Sequence, residues 1–91
     1  MRISIVTGAS SGMGREYAKQ LDALKESDEI WVVARREERL NELKSQLKTA
    51  CRVFPLDLIK QEDIDVLTDA LAASGGEVKY LVNSAGFGKF G

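Results

Sequence analysis

Arg2-Ile3-Ser4-Ile5-Val6-Thr7-Gly8-Ala9-Ser10-Ser11-Gly12-Met13-Gly14 opens as an apolar run and breaks abruptly into glycine. Arg2 to Thr7 reads as a buried strand rich in β-branched residues. From Gly12 to about Lys25, Met13, Tyr17, Leu21 and Leu24 recur at helical spacing on one face, with Ser10 or Ser11 as the N-cap. A strand, a glycine turn and a helix in direct succession can aim free backbone N–H groups and a helix N-terminus at an anion. In that arrangement Gly8 permits the sharp exit from the strand and Gly12 lets a phosphate approach the backbone. Gly14 lets the helix lie close to the sheet, and the Met13 N–H becomes a donor to a phosphate oxygen. No Gly-Lys-Ser/Thr follows, so the turn is not a P-loop, and its place between strand and helix suits a dinucleotide pyrophosphate.

The rest of the chain repeats the pattern. Ile30 to Ala34 is a second strand without polar alternation, which suits burial on both faces. Leu40, Leu43 and Leu47 mark the inner side of a helix from Glu37 to Lys48. Cys51 to Leu56 is a third strand, with Pro55 near its end where a missing N–H is tolerable. Ile64, Leu67 and Leu71 stripe a helix from Gln61 to Ala73 that closes at Gly75-Gly76. Val78 to Val82 is the fourth strand, opening into Asn83-Ser84-Ala85-Gly86. Strands alternating with helices require a parallel sheet with right-handed crossovers. The expected architecture is therefore α/β, a partial doubly wound sheet of Rossmann type in the order 3-2-1-4. Helices one and two share one face, helix three takes the other, and a crevice opens between strands one and four.

About twenty residues past the last glycine, such folds choose between cofactors, placing an acid for the NAD ribose or a cation for the NADP 2′-phosphate. Here Ala34 takes the acid position and Arg35-Arg36 follow. An Arg–phosphate contact is worth ~1.5–3 kcal/mol, or roughly 10- to 100-fold in favour of NADP over NAD.

Composition narrows the remaining classes. Thirteen basic and fourteen acidic residues leave a net charge of −1, which lacks the field that draws proteins onto nucleic acid or anionic lipid. No apolar run approaches the ~18–20 residues that cross a bilayer, and no signal peptide is visible, so a cytoplasmic location is expected. One cysteine, Cys51, and no histidine exclude an internal disulfide, Cys/His zinc sites and any imidazole-dependent nucleophile.

With Thr7-Gly8-Ala9-Ser10-Ser11-Gly12-Met13-Gly14, Ala34-Arg35-Arg36, Leu56-Asp57-Leu58 and Asn83-Ser84-Ala85-Gly86 in order, the chain resembles the N-terminal half of a short-chain dehydrogenase/reductase. The resemblance covers all 91 residues. It implies that Asp57 accepts a hydrogen bond from the adenine amino group beside the Leu58 backbone. It also implies that Asn83, Ala85 and Gly86 line the adenosine ribose, that Ser10 and Ser11 flank the phosphates, and that Arg35 takes the 2′-phosphate, with Arg36 as a second candidate cation. The family usually has two asparagines before Ala-Gly. Here the second is Ser84, which puts a sheet-stabilising hydrogen bond in question.

Family chemistry requires a tyrosine with a lysine four residues on, and a serine that orients the substrate carbonyl. Tyr17 is followed by Leu21 and Tyr80 by Ser84, so the spacing is absent and both tyrosines are expected to pack as aromatics. The chain reads as a cofactor half, a truncated piece, remnant or fragment that is inactive alone. The complete protein would move a hydride between NADP(H) and a small carbonyl or alcohol substrate. A non-catalytic dinucleotide sensor and a domain for another nucleoside cofactor, such as S-adenosylmethionine, are the alternatives. An uncovered fourth-strand edge and helix-three face would favour homo-oligomers.

Overall fold

Ile30, Trp31, Val32 and Val33 alternate between two faces and none is more than 1% exposed, so their strand has to be roofed on both sides. The computed structural model, which describes residues 1–84, shows how. Strands β1 (Arg2–Thr7), β2 (Glu29–Ala34), β3 (Ala50–Pro55) and β4 (Glu77–Asn83) form a parallel sheet in the order β3-β2-β1-β4. Helices α1 (Gly12–Leu24), α2 (Glu37–Gln46) and α3 (Gln61–Ser74) are the crossovers. This is the expected α/β architecture and strand order.

The two faces carry separate cores. On one, Val6, Ala18, Leu21, Ile30, Val32, Leu40, Leu43 and Cys51 pack together, joining α1 and α2 to the sheet. On the other, Ile3, Ile5, Trp31, Val33 and Phe54 lie under Leu67, Ala70 and Leu71 of α3. Trp31 and Phe54 meet at 5.0 Å between ring centroids. The Arg52 guanidinium lies 4.8 Å from the Trp31 ring, covering the aromatic pair at the β3 edge. The Trp31 indole N–H donates to Glu29 at 2.8 Å. Residues of α3 are at most half-buried, so its face is only partly covered among the described residues.

The inner face of α1 differs from expectation. Gly14, Ala18 and Leu21 are buried, whereas Met13 and Leu24 are 65% and 52% exposed. Small side chains let α1 settle close to the sheet, and that close seat rotates the larger ones to its rims. Helix α2 also ends two residues short of Lys48, because Leu47 leaves the helix in an extended conformation. The β3 strand runs one residue earlier than expected and ends at Pro55 on the sheet edge.

Two polar ties bracket the packing of α1 on α2. Near the carboxyl ends of the strands, Arg15 of α1 pairs with Glu42 of α2 at 3.0 Å. At the other end, Asp22 of α1 accepts the N–H groups of Lys48 and Thr49 at 2.8–3.1 Å. Burial acts to raise the Asp22 carboxyl. The Thr49 hydroxyl, the two N–H donors and the Lys48 charge outweigh that and hold it below the usual carboxylate value.

Candidate nucleotide site

Strand β1 delivers the chain to the carboxyl end of the sheet, where Gly8 turns it with φ at +68°, a conformation that favours glycine. The Gly8 carbonyl accepts the Ser11 N–H at 3.1 Å and the Ser11 hydroxyl at 2.9 Å. The same Ser11 oxygen accepts the Gly14 N–H at 3.1 Å, which makes Ser11 the N-cap of α1. A Cβ at Gly14 would overlap the Gly8 carbonyl oxygen, whereas one at Gly12 would meet open space. The Ala9 N–H is spent on Val33 at 3.1 Å. The N–H groups of Gly12 and Met13 donate to no described residue, and neither does the Ser10 hydroxyl. The turn is thus fixed by its own bonds and leaves donors for an anion.

Strand β4 braces this turn from the side. The buried Thr7 hydroxyl donates to Asn83 Oδ1 at 2.7 Å. Ser84 donates its N–H to the Thr7 carbonyl at 3.2 Å and its hydroxyl to the same oxygen at 2.6 Å, with the Gly8 carbonyl 3.4 Å away. Ser84, which stands where a second asparagine is usual, thus bonds the end of β4 back to the end of β1.

These elements enclose an open cleft of about 1110 Å³ across the carboxyl ends of the strands. Typical ligand pockets run ~300–1,000 Å³, so there is room for an extended molecule. Gly8, Ser10, Ser11, Met13, Arg35, Asp57, Leu58 and Asn83 all line it. Gly12 and Gly14 belong to the turn without lining the cleft, Gly14 being buried under Gly8. Arg36 stands off the lining as the N-cap residue of α2, with no side-chain capping bond. Ala85 and Gly86 fall outside the described residues. Arg35 makes no ion pair with any described residue. Asp57 forms a tight turn, its Oδ1 accepting the Ile59 N–H at 3.1 Å and its own N–H bonding Asp63 at 2.7 Å. It is not the cap of α3, which falls at Lys60.

The cleft also holds residues that the sequence pattern did not single out for it. Leu56, Ile59, Ile64 and Leu67 form an apolar wall on the α3 side, and Tyr17, Leu81 and Ser84 stand on the β4 side. Ile59 and Leu81, 88% and 65% exposed, are the signal that was available only in three dimensions. Tyr17 and Tyr80 pack against the α1–α2 core as half-buried aromatics. The Tyr80 hydroxyl donates to Glu26 at 2.8 Å, which raises its pKa.

A family model described as short chain dehydrogenase matches residues 2–91. The chain belongs to the short-chain dehydrogenase family. Among curated relatives, an uncharacterised oxidoreductase of Staphylococcus epidermidis is 39% identical over 85 residues, covering 93% of this chain and 36% of the relative. A fatty acyl-CoA reductase of Acinetobacter baylyi is 35% identical over 88 residues, with 93% and 29% covered. Among solved structures, L-sorbose reductase from Gluconobacter frateurii, complexed with NADPH and L-sorbose, superimposes with a TM-score of 0.77 at 32% identity. That match covers 94% of this chain and 34% of the reductase. This short-chain dehydrogenase chain thus spans about a third of the length of the relatives it matches. No described helix is long and apolar enough to cross a membrane.

Proposed function

We propose that this chain is the NADP(H)-binding portion of a short-chain dehydrogenase whose complete form moves a hydride between NADP(H) and a carbonyl or alcohol substrate. The observation that carries this reading is Arg35, which lines the cleft one residue past Ala34, with no described carboxylate paired to it. NAD(H) lacks the phosphate that such a cation favours and is the weaker ligand.

The bound cofactor supplies the hydride, and the chain supplies the grip. Gly12 and Met13 offer N–H groups to the pyrophosphate at the positive end of α1, assisted by the Ser10 hydroxyl. Asp57 has one carboxylate oxygen outside its turn for the adenine amino group, beside Leu58, and the apolar wall from Leu56 to Ile64 suits the flat base. Asn83, Ala85 and Gly86 serve the ribose. With no Tyr-x-x-x-Lys among its 91 residues, the chain by itself binds without turnover. A cytoplasmic setting and self-association belong to the same proposal, since β4 has no second neighbour among the described strands.

Titration calorimetry with NADPH and NADH tests the reading. The chain should prefer NADPH, and Arg35→Gln should weaken NADPH by roughly 10- to 100-fold while leaving NADH nearly unchanged. Equal affinity of the unmodified chain for both dinucleotides would sink the choice of NADP(H).

A further inference from the structure

Tyr17 and Tyr80 pack against the same core on the α1–α2 face of the sheet, yet their hydroxyls differ. The Tyr80 hydroxyl is spent on Glu26 at 2.8 Å, and Tyr80 does not line the cleft. The Tyr17 hydroxyl bonds to no described residue, whereas every buried side-chain oxygen and nitrogen among the described residues has a partner. The free hydroxyl therefore keeps access to solvent, and Tyr17 lines the cleft. Packing accounts for the ring, and a phenylalanine would satisfy it equally. A tyrosine with one dry side and one wet end is the form that suits a binding surface.

The place of Tyr17 in the fold says which part of a ligand it meets. It stands one turn past Met13 on α1, and helical side chains lean toward the N-terminus, so the phenol covers the turn that carries the free Met13 N–H. Along the cleft, Arg35 and Asp57 follow β2 and β3, the glycine turn follows β1, and Tyr17 lies on the β4 side. A dinucleotide with its 2′-phosphate at Arg35 and its pyrophosphate at the start of α1 has its adenosine over β2 and β3. Its other half must then run past β1 toward β4, on the side where Tyr17 stands.

We infer that Tyr17 is a binding residue for the nicotinamide half of the cofactor, its hydroxyl hydrogen-bonding the phosphate and ribose oxygens beyond the adenosine. This rests on the NADP(H) reading of the cleft. Those oxygens are common to NADPH and NADH, so Tyr17 sets how tightly a dinucleotide is held, whereas Arg35 sets which one.

The test is calorimetric titration of the unmodified chain, Tyr17→Phe and Tyr80→Phe with NADPH, NADH and 2′,5′-ADP, which keeps the phosphorylated adenosine and lacks the nicotinamide half. Tyr17→Phe retains the ring. It should weaken NADPH and NADH alike, about three- to ten-fold, the effect of one hydrogen bond, and leave 2′,5′-ADP unchanged. Tyr80→Phe removes a hydroxyl from a ring on the same core and should leave all three affinities as they are, so a general loosening of that core would show in both variants. Unchanged NADPH affinity in Tyr17→Phe overturns the inference. Equal losses for NADPH and 2′,5′-ADP also overturn it, since the hydroxyl would then act on the adenosine half or on the turn. Either result leaves the NADP(H) reading intact. If the folded, unmodified chain binds neither NADPH nor 2′,5′-ADP, that reading fails and takes the role of Tyr17 with it.

Discussion

The Ser84 hydroxyl donates to the Thr7 carbonyl at 2.6 Å, tying the end of β4 to the last residue of β1 just before the glycine turn. The Ser84 N–H donates to the same oxygen at 3.2 Å, so deleting the hydroxyl leaves the carbonyl one partner. Ser84→Ala should therefore lower unfolding free energy by only about 0.5–1.5 kcal/mol, read from urea denaturation. A loss well above that range would mean the serine holds the turn through something more than this bond.

Gly14 and Gly12 should separate cleanly. Gly14→Ala places a methyl on the Gly8 carbonyl and forces α1 off the sheet. Such overpacking costs about 1–3 kcal/mol, and for a domain of this size each kcal/mol lowers the melting temperature by about 4–8 °C. Gly12→Ala has open space and should leave the thermal melt nearly unchanged while weakening NADPH. Equal melting temperatures for the two variants would contradict the packing described for the turn.

Neighbouring serines should divide in the same way. Ser11 spends its hydroxyl on the Gly8 carbonyl and the Gly14 N–H, so Ser11→Ala removes an N-cap worth about 0.5–2 kcal/mol. Ser10 bonds nothing described and lines the cleft. Ser10→Ala should leave stability within about 0.5 kcal/mol and weaken NADPH about ten-fold, the effect of one hydrogen bond to a charged group. Paired thermal melts and calorimetry decide it, and a Ser10 variant that melts early but binds normally would reverse the assignment.

Burial pushes the Cys51 thiol from an ordinary value near 9 up to about 11. Between those values the unfolded chain releases a proton that the folded chain keeps, so the stability linked to this thiol is intact below pH 9 and drains away as pH rises toward 11. The melting temperature of the unmodified chain, measured relative to Cys51→Ala, should fall across that window and stay level between pH 7 and 8.5. A constant difference from pH 7 to 11 would show that the thiol titrates alike in both states.

Parts of this molecule were plain in the sequence because a single physical demand controlled them. Ile30 to Ala34 carries no polar alternation, and only a strand covered on both faces tolerates that, so β2 and the helices on its two sides followed. Gly75 at a left-handed φ of +67° ended α3 for the reason glycine usually does. The inner face of α1 departs from the helically spaced stripe of Met13, Tyr17, Leu21 and Leu24, because spacing alone does not say how closely a helix sits on its sheet. Close contact with the sheet selects Gly14 and Ala18 instead and leaves Met13 on the rim.

The cleft was legible only in part. Ser10, Ser11, Arg35, Asp57 and Asn83 announce themselves as polar residues at strand ends, and the structure gathers them along one opening. Ile64 and Leu81 read the same as any core residue, and only the tertiary arrangement leaves them facing that opening. The tie from Ser84 to Thr7 was equally invisible, since a hydroxyl reaches a carbonyl on another strand only after the register is set. In that register β4 slips between Ile3 and Ser4, pairing Tyr80 with Ser4 and Leu81 with Ile5.

Trp31, the sole indole, has no exposed surface, and its N–H is held by Glu29. Loss of the fold would carry that chromophore from a dry, aromatic setting into water, shifting its emission to the red. The sheet thus contains its own optical gauge, and any stability comparison on this chain can be followed by intrinsic fluorescence with no added label.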